Sequence, residues 1–107
     1  MTAVQRVCFT LRLRADRLDD YLRDHADVWP EMLEALSDAG WTNYSLFLRR
    51  GDGLVVGYLE TEDFERAQSA IARREVNARW QASMAGYFES GRPDGALEEL
   101  EEYFHLA

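Results

Sequence analysis

The chain has 107 residues, 47% of them hydrophobic and 30% charged, and this balance predicts one folded domain over residues 1–107, not a disordered or fibrous chain. The formal net charge of −8 disfavours nucleic acid and anionic membranes as partners, because both would be repelled by the surface as a whole. Residues 1–25 lack the unbroken apolar run of a signal peptide or membrane helix, and the single cysteine, Cys8, suits a reducing compartment, so we expect a cytoplasmic protein.

The first part of the chain predicts a strand followed by a broken helix. Apolar and polar residues alternate from Val7 to Leu13, as in a half-buried strand. Asp16 is placed to cap the next segment, whose apolar positions recur every three or four residues. Pro30 restrains the residue before it and favours a new helical start, and Gly40 is suited to end that second helix.

A hairpin is predicted next. The segment from Trp41 to Arg49 alternates again, with Tyr44 on one face and Trp41 and Phe47 on the other, where they would serve core or interface packing. A short glycine-containing turn leads to a second strand over Leu54 to Thr61. Strands joined by so short a turn must pair antiparallel.

The last part of the chain predicts two helical stretches and a final strand. Asp63 can cap the first stretch, a break lies near Arg73 to Glu75, and Trp80 belongs to the apolar stripe of the second. The polar stretch from Ser90 to Gly95 predicts a loop. Leu100 to Leu106 is then expected to form the fourth strand.

The element order is strand, helix, strand, strand, helix, strand. This order predicts an α+β fold, the ferredoxin-like βαββαβ sandwich, with its helices on one side of an antiparallel sheet. The other sheet face would be bare, and the chain has three tryptophans and ten tyrosines and phenylalanines to cover it. We therefore expect a homodimer that packs sheet against sheet.

Tyr21 and His25 are the sharpest local signal for chemistry. They lie four residues apart on a predicted helix, so their rings project from the same face. An imidazole can give or take a proton near neutral pH, and a phenol can donate or accept a hydrogen bond. The alternative is that Tyr21 packs in the core and His25 makes a structural hydrogen bond near the helix end. Spacing alone favours this structural alternative.

Aromatic side chains give a second signal, because the C–H faces of a sugar stack on aromatic rings. Trp29, Tyr44 and Trp80 are candidates for such a wall, although core packing would explain them equally well. A metal site is disfavoured, because His25 and His105 have no second ligand at metal-binding spacing. The scattered arginines favour a neutral ligand over an anionic one.

The stretch from Tyr21 to Glu31 resembles the Y-x-x-x-H-x-x-x-W-P-E signature of the L-rhamnose mutarotase family. The likeness extends over nearly the whole chain, through Gly40, Asn43-Tyr44, the Leu54 to Glu60 strand, Arg79-Trp80, Met84 and the segment from Glu102 to Leu106. The resemblance implies a dimeric ferredoxin-like α/β barrel that interconverts the α and β anomers of a 6-deoxyhexose without a cofactor.

By position, the resemblance implies that His25 is the proton donor of this reaction. It also implies that Tyr21, Tyr44, Trp80 and Gln81 bind the sugar. To these we add Trp29 as a supporting wall. Gln81 departs from the family, which has a second tryptophan there. Because an amide offers a donor and an acceptor in place of an apolar plate, L-fucose is an alternative substrate to L-rhamnose.

Two other classes of function fit the same fold. Haem-handling proteins, monooxygenases and non-catalytic ligand-binding proteins share the dimeric α/β barrel, although the surroundings of His25 are polar for a haem ligand. The chain could also be an interaction module whose aromatic residues serve only the dimer. If the chain is instead a mutarotase, His25 and Tyr21 would protonate the ring oxygen and deprotonate the anomeric hydroxyl, in either assignment of roles.

Overall fold

A computed structural model describes residues 4–89 and 97–107 of the chain. Within them the elements follow one another as β1 (Gln5–Arg12), α1 (Leu18–His25), α2 (Pro30–Asp38), β2 (Thr42–Arg49), β3 (Leu54–Thr61), α3 (Phe64–Ala72), α4 (Glu75–Met84) and β4 (Glu98–Leu100). Single 3-10 turns precede α1 and follow α4. The loop predicted over Ser90 to Gly95 lies outside the described residues.

The four strands form one antiparallel sheet in the order β2-β3-β1-β4. This arrangement confirms the predicted ferredoxin-like fold, in which β1 and β3 lie side by side at the centre. Alternate residues of the two central strands are buried on the face that the helices cover, and together with the apolar sides of the helices they form one core. None of the helices in the described residues is long and apolar enough to cross a lipid bilayer.

A glycine on β3 shapes the inner face of the sheet. Gly57 pairs with Phe9 across the two central strands. A Cβ atom built on Gly57 would fall 2.3 Å from Cζ of Phe9, so only glycine lets this ring lie across the neighbouring strand. Phe9 is 2% exposed and lines a cavity between the sheet and the helices, which is described below. The absence of a side chain at Gly57 therefore leaves room for the Phe9 ring, which forms part of the cavity lining.

Most of the helix ends predicted from proline, glycine and capping residues agree with the structure. Pro30 is the first residue of α2, Gly40 has φ +95°, and the Asp63 side chain accepts a hydrogen bond from the backbone N–H of Arg66. The prediction that Asp16 caps the first helix is wrong. The chain enters α1 through a 3-10 turn that contains Asp16, which moves the helix start to Leu18, where no side chain caps it.

The predicted faces of strand β2 need a correction at its start. Asn43 has φ +46°, and the register with β3 shifts between Thr42 and Ser45. This bulge reverses the alternation, so Trp41 and Tyr44 lie on the same side with their ring centroids 5.1 Å apart. Phe47 does face the other side, where it is 62% exposed.

The fourth strand was predicted over Leu100 to Leu106, and that prediction is wrong. Strand β4 ends at Leu100, which pairs with Cys8, and residues 101–107 are exposed and form no strand. The antiparallel register brings Glu102 beside Arg6, with which it forms an ion pair. The register would place residues 101–103 opposite residues 5–7 of β1, but only Glu98 to Leu100 pair with it, and residues 104–107 lie beyond the start of β1.

Candidate functional site

A cavity of about 780 Å³ lies between the inner face of the sheet and the helices. Its volume falls in the range of small-molecule binding sites. Most of its lining is apolar, and polar side chains reach it from four elements: Tyr21 and His25 from α1, Tyr44 from β2, Glu65, Gln68 and Ser69 from α3, and Asn77 and Gln81 from α4. An apolar cleft with a few convergent polar groups is the pattern expected of a site for a small, uncharged ligand.

The structure brings Tyr21 and His25 together as the helical spacing predicts. Their ring centroids are 4.2 Å apart, and both rings line the cavity. Tyr21 is 4% exposed, and its ring packs edge-on against Phe88 and Tyr87 at 5.5 and 6.0 Å. His25 is half-buried. The two rings are thus neither sealed away from the cavity nor turned to bulk water.

The hydroxyl groups of Tyr21 and Tyr44 open into the cavity. Neither hydroxyl has a hydrogen-bond partner among the described residues. In the same part of the chain, no fully buried side-chain nitrogen or oxygen lacks a partner, so both hydroxyls must reach accessible space. Two unpaired phenolic hydroxyls in one apolar cleft are suited to meet the hydroxyl groups of a ligand.

Burial keeps both phenols protonated. It raises the pKa of Tyr21 to about 12, because the phenolate would lose its hydration. Burial likewise raises the pKa of Tyr44, and the nearby Tyr21 raises it further, because two phenolates would repel one another. At neutral pH both side chains therefore offer an O–H donor to the cavity.

The tautomer of His25 follows from its own helix. Its Nδ1 lies 3.3 Å from the backbone carbonyl oxygen of Tyr21, and because a carbonyl can only accept, Nδ1 must carry the hydrogen. Burial lowers the pKa of His25, a shift opposed by this hydrogen bond and by the carboxylate of Asp24. The imidazole is therefore neutral near pH 7, with a free electron pair on Nε2.

The predicted aromatic residues divide into a wall and its support. Trp80 lines the cavity and meets the His25 ring edge-on at 5.3 Å. Trp29 packs against Trp80 at 5.0 Å and nearly at a right angle, but it does not itself line the cavity. Trp29 therefore contacts the side of Trp80 without facing the cavity itself. Trp41, which we expected only to pack, also lines the cavity, since the bulge in β2 turns it inward.

Asn77 is a cavity residue that sequence reasoning missed. It is 2% exposed, and its Oδ1 accepts a hydrogen bond of 3.1 Å from Nε2 of Gln81, which is 9% exposed. The signal was present, because Asn77 lies four residues before Gln81 on the same helix. The spacing alone does not show that an asparagine within an apolar stripe faces a cavity.

No cluster of three or more His, Cys, Asp or Glu side chains that could hold a metal ion occurs in residues 4–89 and 97–107. His105 lies on the exposed tail, and His25 is the histidine that lines the cavity. The groups that α1, β2 and α4 bring to the cavity can exchange protons and form hydrogen bonds: one neutral imidazole, two protonated phenols and two amides, to which α3 adds Glu65, Gln68 and Ser69.

Sequence comparison identifies relatives along almost the entire chain. The family model of L-rhamnose mutarotase matches residues 6–106. An L-rhamnose mutarotase of Pectobacterium carotovorum is 37% identical over 102 residues, which cover 94% of this chain and 97% of the relative. One of Bacillus subtilis is 35% identical over 104 residues, covering 96% and 99%.

Solved structures with different descriptions share this fold. The crystal structure of an L-rhamnose mutarotase from Formosa agariphila superposes with a TM-score of 0.78 at 24% identity, covering 96% of this chain and 99% of that one. A putative antibiotic biosynthesis monooxygenase from Nitrosomonas europaea superposes with a TM-score of 0.64 at 9% identity, covering 94% and 88%. The fold alone therefore does not select an activity. The family model and the sequence relatives do separate these groups, and on their match the chain belongs to the L-rhamnose mutarotase family.

Proposed function

We propose that this chain is an L-rhamnose mutarotase, an isomerase that interconverts the α and β anomers of the sugar with His25 and Tyr21 as its catalytic residues. The observation that carries the proposal is the pair of rings, 4.2 Å apart, on the wall of a cavity of about 780 Å³. Family membership supports the substrate, since the relatives from Pectobacterium and Bacillus are named L-rhamnose mutarotases.

The electrostatics of the pair suggest which residue acts first. With Nδ1 held by the Tyr21 carbonyl, the free Nε2 of His25 is the base, and it takes the proton of the anomeric hydroxyl. The electron pair left on that oxygen forms the aldehyde C=O bond as the bond between C1 and the ring oxygen breaks. The Tyr21 hydroxyl gives its proton to the departing ring oxygen.

Ring closure reverses these steps on the other face of the aldehyde. After rotation about the bond between C1 and C2, the ring hydroxyl attacks C1 and returns its proton to Tyr21. The imidazolium of His25 then returns its proton to the new anomeric oxygen. Protons and electrons balance over the cycle, and no group is consumed, so both residues end in their starting forms.

The remaining cavity residues are proposed to bind and orient the sugar. The Tyr44 hydroxyl faces the cavity as a donor, and Trp80 offers an aromatic wall against which a C–H face of the sugar can stack. Gln81 supplies an amide where the family has a tryptophan, and Trp29 supports Trp80 from behind. Holding the sugar in this way lowers the entropy cost of reaching the reactive geometry, which contributes to the rate.

The direct test is anomer exchange on L-rhamnose, measured by saturation-transfer NMR. His25→Ala should reduce the exchange rate by about a hundredfold or more, the usual contribution of a general acid or base. His105→Ala is the matched control, since it removes the same side chain from the exposed tail and should leave the rate unchanged. A His25→Ala variant that folds and still exchanges at the original rate would refute the assignment.

L-fucose is the alternative substrate, and the observation that favours it is Gln81. Its amide is buried in the cavity, where it can meet a hydroxyl that a tryptophan would exclude. Parallel exchange measurements on L-rhamnose and L-fucose would separate the two. If neither sugar exchanges but one raises the melting temperature, the chain is a ligand-binding protein of the same fold.

We further propose that the protein is a homodimer formed through the outer face of its sheet. Phe47 and Leu100 stand on that face and are 62% and 49% exposed, and the tail exposes Tyr103 and Phe104. A second copy would remove these apolar groups from water. Light scattering should give twice the chain mass of 12.4 kDa. Phe47→Glu should shift the mass toward one chain, whereas Glu34→Gln on the exposed side of α2 should not.

The cytoplasm is the proposed compartment. Cys8 is a free thiol on the sheet, and an unpaired cysteine is typical of proteins kept in reducing surroundings. Cell fractionation of the native host checks this placement, and recovery from an oxidising compartment would contradict it.

A further inference from the structure

Asn77 presents an unused hydrogen-bond donor to the cavity. The residue is 2% exposed, yet its Nδ2 has no partner among the described residues. Because no fully buried polar atom in that part of the chain is left unpaired, Nδ2 must reach the accessible space of the cavity that the residue lines. A nearly buried amide with an unpaired N–H donor is typical of a binding site in which a ligand supplies the acceptor.

Gln81 fixes which end of the Asn77 amide faces the ligand. Its Nε2 donates to Oδ1 of Asn77 at 3.1 Å, and that contact occupies the acceptor end of the carboxamide. Turning the Asn77 amide over would place two N–H groups against each other. With Gln81 oriented as a donor, the bond between the two side chains leaves the donor end of Asn77 for the cavity.

We propose that Asn77 is a further substrate-binding residue, one that donates a hydrogen bond from Nδ2 to a single non-anomeric hydroxyl of the sugar and thereby selects for that hydroxyl. The inference rests on the proposed mutarotase function. Asn77 stands on α4, whereas the groups assigned to the anomeric centre stand on α1, and we therefore assign its contact to a hydroxyl other than the anomeric one. A site built to pair with a hydroxyl rejects analogues that lack it, because its own polar group is then left unpaired.

The test combines changes in the enzyme with changes in the sugar. Anomer exchange is measured on L-rhamnose and on its 2-deoxy, 3-deoxy and 4-deoxy analogues, with the original protein and with Asn77→Asp and Asn77→Leu. The original protein should lose about tenfold or more in kcat/KM on the analogue that lacks the contacted hydroxyl. In both variants that particular loss should disappear, while losses on the other two analogues persist.

The two variants differ in what they preserve. Asn77→Asp keeps the shape and the acceptor for Gln81 and removes only the donor, whereas Asn77→Leu removes both. Ala82→Leu places the same new side chain on the exposed side of α4 and should behave like the original protein on all four sugars. Thermal unfolding checks that each variant folds.

The outcomes distinguish failure of the Asn77 contact from failure of the proposed mutarotase function. If the original protein exchanges L-rhamnose and has the same kcat/KM on every deoxy analogue, the proposed Asn77 contact is overturned without any variant. It is also overturned if the variants show the same loss on every analogue as the original protein. If the original protein exchanges none of the sugars, the mutarotase function fails, and the inference falls with it.

Discussion

Removing a single oxygen atom from the cavity separates a catalytic role of Tyr21 from a structural one. Tyr21→Phe keeps the ring and therefore its edge-on contacts with Phe88 and Tyr87 and its stacking with His25. The lost hydroxyl has no hydrogen-bond partner in the described structure. We therefore expect the free energy of unfolding to change by no more than about 0.5 kcal/mol, because no bond is broken and no cavity forms.

The expected effect on the rate is much larger. If the Tyr21 hydroxyl protonates the ring oxygen, its loss should slow anomer exchange by roughly a hundredfold, which is the lower end of acid and base contributions. A hundredfold corresponds to about 2.7 kcal/mol of transition-state stabilisation. A structural hydroxyl would give the opposite pattern, with about 1 kcal/mol lost in stability and little change in rate.

Saturation-transfer NMR on L-rhamnose gives the exchange rate, and urea unfolding gives the stability. Tyr58→Phe is the matched control, because it removes the same atom from the outer face of the sheet, where the hydroxyl donates to Glu60 at 2.7 Å. That variant should lose a little stability and keep the full rate. A Tyr21→Phe protein with the original rate, or one that unfolds far more readily, would show the reasoning about Tyr21 to be wrong.

Three other predictions follow from the same structure. Because burial lowers the pKa of His25 and its neutral form is the proposed base, exchange should fall on acidification with a midpoint below pH 6.5; a midpoint above that value contradicts the assignment. Gly57→Ala should reduce the free energy of unfolding by roughly 1–3 kcal/mol in urea titrations, since the new methyl group meets the Phe9 ring at 2.3 Å, and unchanged stability would mean that the ring moves freely. Gln81→Trp should raise exchange on L-rhamnose relative to L-fucose by about tenfold, the scale of an apolar contact in a pocket, and an unchanged ratio would remove Gln81 from substrate choice.

The parts of the fold that sequence reasoning predicted depend on short-range chemistry. Alternation along β1 and β3 and the helical spacing of Tyr21 and His25 are properties of a few neighbouring residues. The same is true of the break at Pro30 and of the cap at Asp63, where the side chain bonds three residues along. Each of these predictions needed only local geometry, and the structure confirms each of them.

The misplaced elements depend on contacts distant in sequence. The bulge that turns Trp41 inward arises from a positive φ at Asn43, a conformation that asparagine tolerates but does not require. Strand β4 ends at Leu100 although residues 101–103 would lie opposite residues 5–7 of β1, and only residues 104–107 lie past the start of β1. An alternating pattern marks residues able to form a strand, and it does not say whether a neighbour is there to pair with them.

The proposed role of His25 as a base depends on two properties, one set by neighbours in sequence and one by residues distant in sequence. Its tautomer is local, because the carbonyl that holds Nδ1 belongs to Tyr21 four residues earlier on the same helix. Its lowered pKa is not local, because the burial that causes it depends on Trp80, which α4 brings against the ring, and on Trp29, which supports Trp80. A helix carrying Tyr21 and His25 without that wall would keep the tautomer and lose the shift. Removal of the wall by Trp80→Ala should therefore move the acid limb of the exchange rate upward toward pH 6.5 in any protein that still folds, and an unmoved limb would mean that the burial of His25 comes from elsewhere.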